Sequence, residues 1–168
     1  QDYPALSDRQ DNREIIDAAV SAWTSTRSKF LCEQLLQEGG VPAVAVRTLD
    51  EVGAICEQSR SAGRTVVQAH GTFDLLHLGH VRHLEAARKL GDVLIVTVTA
   101  DRFVNKGPGR PVFNAELRAE MLATLEYVDW VAVNDAPDAV SAIERIRPSI
   151  YIKGQDYQNP EGDITGKI

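Results

Sequence analysis

The chain has 168 residues, 43% of them hydrophobic, enough for one domain of ordinary size with a packed core and too few for two large ones. Its formal net charge of -6 excludes a broad nucleic-acid footprint, because displacing counterions from a phosphate backbone takes clustered Lys and Arg; any polyanion site must be local. No apolar run approaches the about 20 residues that span a bilayer and no secretory pattern opens the chain, so no membrane partner and a cytoplasmic location are expected.

The chain starts polar, with Asp8, Arg9, Asp11 and Arg13, and then places Ile15, Ile16, Ala19, Val20 and Trp23 at helical spacing. Residues 28–38 repeat the pattern with Phe30, Leu31, Leu35 and Leu36, and Gly39-Gly40 stops it. Residues 41–46 read as a short extended piece, after which Thr48 or Asp50 caps a helix to about Ser61. Cys32 and Cys56 lack metal-ligand spacing and are expected to be free thiols. No motif in residues 1–64 carries chemistry. They are expected to form a helical N-terminal extension, packed on the main domain or used to form a homodimer, with a regulatory or substrate-specifying role as the other reading.

From Thr65 onward, apolar runs of strand length alternate with amphipathic segments of helical length. Strands are expected at residues 65–69, 92–99, 128–133 and 149–152. The second of these is apolar on both faces apart from Thr97, as a central parallel strand should be. Between them, a helix at 78–90 is expected to bury Leu78, Val81, Leu84 and Ala87. One capped by Asn114 should run to about Glu126 with Leu117, Met121 and Leu125 inward, and one opened by Pro137 should turn Val140, Ile143 and Ile146 inward. Residues 101–112 hold Lys106-Gly-Pro-Gly-Arg-Pro111 and read as loop, as do residues 159–167. This pattern predicts an α/β fold, a Rossmann-like doubly wound parallel sheet at residues 65–168 behind the helical extension.

In such a sheet the C-terminal ends of the strands share one edge, and ligands bind there. Three polar clusters fall at such ends. The first is Gly71-Thr-Phe-Asp74 with His77 and His80, three residues apart at the start of a helix, with Gly79 between them leaving the backbone open to approach. Asp101 with Lys106 and Arg110 is the second, and Lys153 with Asp156 the third. Two imidazoles and several cations suit a highly anionic ligand such as a nucleoside triphosphate. Alternatives stand beside these readings: Arg110 as a solvated loop charge and Asp101 as a loop cap rather than a ribose contact. His83 is expected to be solvent-exposed, and His70 to be a hydrogen-bonded strand-end residue.

Thr72-Phe73-Asp74 followed by His77-x-Gly79-His80 resembles the signature of the cytidylyltransferase-like nucleotidyltransferases. Lys106-Gly-Pro-Gly-Arg-Pro111 together with Lys153-Gly-Gln-Asp-Tyr157 resembles more closely the adenylyltransferase half of the bifunctional ADP-heptose synthases of bacterial lipopolysaccharide assembly. The resemblance implies attack by the phosphate of a sugar 1-phosphate on the α-phosphorus of a nucleoside triphosphate, ATP being favoured, with pyrophosphate leaving. It also implies His77, His80 and Lys106 as catalytic residues and Gly71, Thr72, Phe73, Asp74, Gly79, Asp101, Arg110 and Lys153 as nucleotide and phosphate contacts. Mg²⁺ is expected with the triphosphate and no protein metal site is expected. A CTP-dependent cytidylyltransferase acting on glycerol phosphate or a similar polyol phosphate is the alternative within this class; a nucleotide-binding module without turnover is the alternative outside it. The Ser/Thr-rich segment and the kinase domain found in such proteins have no counterpart up to Ile168, so the sequence is expected to be a piece of a longer chain.

Overall fold

A computed structural model describes residues 6–41 and 47–153. The extended piece expected at 41–46 falls outside the described residues beyond Val41, as do Asp156 and the loop expected at 159–167. The chain divides into two compact units, Gln1–Val46 and Arg47–Ile168.

The first unit holds α1 (Leu6–Asp11), α2 (Arg13–Thr24) and α3 (Lys29–Glu38). The Ser28 hydroxyl caps α3 by accepting from Leu31 N–H at 3.2 Å, and Gly40, at φ 75°, ends it in the left-handed conformation that glycine adopts without strain. α2 buries none of its side chains, and Cys32 is the buried residue of α3. The polar start was not expected to be helical; α1 is a turn and a half of mostly polar residues with too few apolar positions to show a period.

The second unit opens with α4 (Leu49–Ser61), held at its start by a capping box. Thr48 Oγ1 accepts from Glu51 N–H at 3.3 Å, and the Glu51 carboxylate accepts from Thr48 N–H at 2.8 Å. Sequence reading assigned this helix to the N-terminal extension. It packs on the main domain, as one of the two expected arrangements had it: Val52 and Cys56 are buried with Val66, Val93, Ile95, Ala132 and Ile146, and the compact unit that holds the sheet starts at Arg47. Both cysteines are free, and burial pushes the Cys56 thiol up to about 11.

The sheet consists of β1 (Val66–Gly71), β2 (Val93–Thr99), β3 (Trp130–Asn134) and β4 (Ile150–Ile152). All pairs are parallel and the spatial order is β3-β2-β1-β4. Between the strands lie α5 (Leu78–Arg88), α6 (Ala115–Ala123) and α7 (Val140–Ile146). Alternate strand residues feed two cores. Val67, Ala69, Leu94, Val96 and Val98 meet Leu84 and Ala87 of α5 and Leu122 of α6; the opposite face is covered by α4 and α7. With both faces covered, β2 is buried along its whole length, as its apolar run requires. The chain walks outward from β1 to β3 and then crosses back to β4 on the other side of β1. The winding therefore reverses between β1 and β4, which is the switch point of a doubly wound α/β sheet.

Three helix faces differ from expectation. Leu78 is 61% exposed, because as the first residue of α5 it stands beyond the sheet edge, past the end of the core. On α6 the buried positions are Arg118 and Leu122, with Met121 and Leu125 half-buried and Leu117 exposed, a rotation of one residue from the expected face. On α7 the buried residues are Ala142 and Ile146, with Val140 and Ile143 half-buried.

Candidate active site

At the exit of β1 the backbone turns sharply through Thr72 and Phe73 into α5. Phe73 has φ 47°, the left-handed region, which costs a bulky residue on the order of 1–2 kcal/mol. Its ring is buried and lies edge-on to His80, with centroids 5.2 Å apart. A Cβ on Gly71 would come 3.1 Å from the Phe73 ring, so glycine leaves space for the turn.

His77 is the N-cap of α5, and its Nδ1 accepts the Gly79 N–H at 3.1 Å. That bond leaves Nε2 as the protonated nitrogen, a donor on an exposed side chain. A Cβ at Gly79 would stand 2.9 Å from His77 Cε1, so this glycine makes room for the capping imidazole as well as baring the backbone. The His77 and His80 rings stack with centroids 3.9 Å apart. The i, i+3 spacing thus yields one two-ring surface. His80 Nδ1 is buried without a hydrogen-bond partner. Burial, followed by the charges of His77, Lys106 and His83, holds the His80 imidazole below its ordinary value, with the Leu75 backbone pulling the other way. His83, expected in solvent, is half-buried and close enough to contribute to that field.

Asp74 and Arg110, both read as phosphate contacts, are joined to each other. The Arg110 guanidinium donates to Asp74 Oδ2 at 2.6 Å and Val112 N–H donates to Oδ1 at 2.6 Å, so the loop closes onto the turn. Burial raises the Asp74 carboxyl, but the Val112 N–H, the Arg110 guanidinium and the Lys106 charge together outweigh it and hold it below the usual range. Gly107 and Gly109, at φ 95° and 74°, supply the loop's left-handed positions. Lys106 is exposed on this loop, and its charge is felt by both Asp74 and His80.

Asp101 takes a role that sequence reading did not weigh. Its Oδ1 accepts from Arg118 Nη2 at 2.6 Å. Arg118 is completely buried and also donates to the backbone carbonyls of Thr99 at 2.8 Å, Phe113 at 2.9 Å and Thr72 at 2.5 Å. The only sequence signal for it was a cation one turn after the Asn114 cap, where the apolar pattern did not require one to point outward.

Lys153 lies just past β4, next in register after the Ala69–Ile152 pair and hence beside His70. His70 bonds through Nδ1 to Thr97 Oγ1 at 2.9 Å and through Nε2 to Thr99 Oγ1 at 3.3 Å, the satisfied strand-end role expected of it. Burial is the main cause that pushes its pKa down to about 4; Lys153 adds to this, while Asp138 and the Thr97 backbone oppose it. The edge around β1 therefore gathers His77, His80, Phe73, Asp74, Lys106 and Arg110, with Arg118 and Asp101 beneath and Lys153 on the β4 side. Among the described residues no group of three or more His, Cys, Asp or Glu side chains could hold a metal ion, and no helix is long and apolar enough to cross a membrane. Donor N–H groups, two stacked imidazoles and cations at a helix N-terminus can bind phosphates and stabilise negative charge that moves between their oxygens.

Known proteins share this arrangement of sequence and fold. The chain is 40% identical over 124 residues to the bifunctional protein HldE of Syntrophotalea carbinolica, a match covering 73% of this chain and 25% of that one. It is 43% identical over 132 residues to the bifunctional protein HldE of Methylobacillus flagellatus, covering 77% of this chain and 27% of that one. The chain thus spans about a quarter of the length of these relatives. A lipopolysaccharide core biosynthesis protein from Thermoplasma volcanium has a crystal structure that aligns with TM-score 0.54 and 32% identity, over 63% of this chain and 87% of that one. The family model described as Cytidylyltransferase-like matches residues 69–164, from the second half of β1 past Lys153. With the exit of β1, the paired histidines, and β2, β3 and β4 inside that span, the chain belongs to the cytidylyltransferase-like family of nucleotidyltransferases.

Proposed function

We propose that this chain joins a nucleoside monophosphate, taken from ATP in preference to CTP, to a sugar 1-phosphate such as a heptose 1-phosphate, releasing pyrophosphate. The observation that carries the reading is the stacked His77–His80 pair at the N-terminus of α5, beside the β1–β4 switch point and within the field of Lys106. The Thermoplasma volcanium relative, a lipopolysaccharide core biosynthesis protein, fits a sugar-derived acceptor. An oxygen of the acceptor phosphate forms a bond to the α-phosphorus while the bond to the β-phosphate oxygen breaks, and pyrophosphate leaves with that electron pair. Nothing is attached to the protein, so its work is alignment and charge stabilisation.

In this reading His77 Nε2–H and the His80 imidazole donate to α-phosphate oxygens. The backbone of Gly71, Thr72, Phe73 and Gly79 lines their approach. Lys106 and Lys153 neutralise the departing and attacking phosphates from opposite sides. Asp74 holds Arg110 until a triphosphate competes for it, and Asp101 acts through Arg118. Mg²⁺ would supply charge neutralisation to the triphosphate; with Asp74 and Asp101 both paired to arginines, phosphate oxygens and water are its fitting ligands. A kinase unit on a longer chain, supplying the sugar phosphate, is the partner that this reading favours.

The test is pyrophosphate release by the 168-residue chain with ATP or CTP, against sugar 1-phosphates and polyol phosphates. Release with ATP and a sugar 1-phosphate is the expected result. Release only with CTP and glycerol phosphate would move the assignment to a polyol cytidylyltransferase, and nucleotide binding without release from any pair would leave a binding module.

A further inference from the structure

We propose that Arg118 is a positioning residue for nucleotidyl transfer, fixing from the core the Thr72–Phe73 peptide so that its N–H is presented to a phosphate oxygen. The inference rests on the functional reading above and concerns a residue outside both sequence motifs. A guanidinium without solvent exposure needs every bond it can make, and Arg118 spends its bonds on a particular set of acceptors. These are the carbonyl of Thr72 at the exit of β1, that of Thr99 at the end of β2, that of Phe113 at the foot of the Gly/Pro loop, and the carboxylate of Asp101. One side chain thus ties together the exit of β1, the end of β2 and both ends of the Gly/Pro loop.

The bond to Thr72 has a direct stereochemical consequence. In a planar trans peptide the C=O and the following N–H point in opposite directions. Drawing the Thr72 carbonyl toward the buried guanidinium turns the Phe73 N–H away from it, and that N–H makes no hydrogen bond among the described residues. The same lock accounts for Phe73 remaining at φ 47°, a conformation that a bulky residue abandons unless its surroundings hold it. Core filling alone does not call for arginine here. An apolar residue of similar volume would occupy the site without the cost of stripping water from a charge.

Arg118→Met and Arg118→Lys test this through turnover, melting temperature and the amide resonance of Phe73 during titration with Mg-ATP. Arg118→Met should stay folded, lose about a hundredfold or more in kcat, the size of a lost transition-state donor, and lose the nucleotide-induced shift of the Phe73 amide. Arg118→Lys, whose ammonium can still donate to the Thr72 carbonyl, should recover part of both. A folded Arg118→Met with kcat within threefold of wild type and an unchanged Phe73 response overturns the proposal. Should Arg118→Met fail to fold, the same two readings on Arg118→Lys decide, a kcat loss of less than threefold counting against it. A wild-type chain that releases no pyrophosphate refutes the functional reading instead, and the Phe73 response to nucleotide then decides the positioning role.

Discussion

His80 is the residue on which several effects converge: a ring stacked on His77, edge contact with Phe73, an unpartnered buried Nδ1 and a pKa held below the ordinary value. If it donates to the α-phosphate, His80→Ala should lower kcat by at least about a hundredfold while the melting temperature stays close to wild type. Steady-state rates near wild type would remove it from the mechanism. His70 offers a pH test of the same sheet edge. Its folded pKa of about 4 lies below the unfolded value, so as pH falls the unfolded chain takes up a proton first. The stability it contributes is complete above about pH 6.5 and is lost progressively toward pH 4, on the order of 3 kcal/mol at about 1.4 kcal/mol per unit. Urea midpoints measured across that window should fall steeply for wild type and less steeply for His70→Gln; identical slopes would contradict the assignment. His77, His80 and His70 were legible because spacing and strand position fixed their neighbourhoods. Arg118 was not, since a buried cation depends on carbonyls from three segments whose meeting no local pattern records.

At the scale of elements, the Gly-Pro-Gly-Arg-Pro part of the loop is clasped by the Asp74 carboxylate, which accepts from both Arg110 and Val112. Asp74→Asn removes the charge from that clasp, and tryptic cleavage after Lys106 should become several-fold faster than in wild type. An unchanged cleavage rate would mean that the loop is held by other contacts. The packing of α4 on α7 can be probed in the same spirit at Gly53, where a Cβ would stand 2.8 Å from the Arg145 carbonyl oxygen. Helix propensity favours alanine by about 1 kcal/mol, but forcing two backbones apart costs about 1–3 kcal/mol. Gly53→Ala should therefore lower the urea midpoint; a raised midpoint would show that α7 yields freely. Periodicity located α4, α5, α6 and α7 but left open which surface α4 covers and misjudged which residue centres the buried face of α6. A period gives the angle between apolar positions; the partner surface comes from packing, and on α6 a satisfied guanidinium took a core place that the pattern reserves for leucine.

For the whole molecule, a net charge of -6 coexists with a site that gathers Lys106, Arg110, Lys153 and the helix N-terminus at one sheet edge, so attraction for a polyanion is local. The parallel, doubly wound sheet follows from the alternation of strands and helices and was legible in the sequence, whereas the order β3-β2-β1-β4 rests on which strands pair and is read from the structure. The boundary between the two units was not legible either, because a helix preceding the first strand reads alike whether it packs on the sheet or apart from it. The central claim is transfer of the α-phosphoryl nucleotide unit at this edge. Incubation of the chain with ATP labelled at the α-phosphate and with a sugar 1-phosphate tests it most directly. The account predicts that label passes into a nucleotide-sugar product with equimolar pyrophosphate, and that His80→Ala slows the passage about a hundredfold. Label remaining in ATP, or recovered in ADP with inorganic phosphate released, would contradict it.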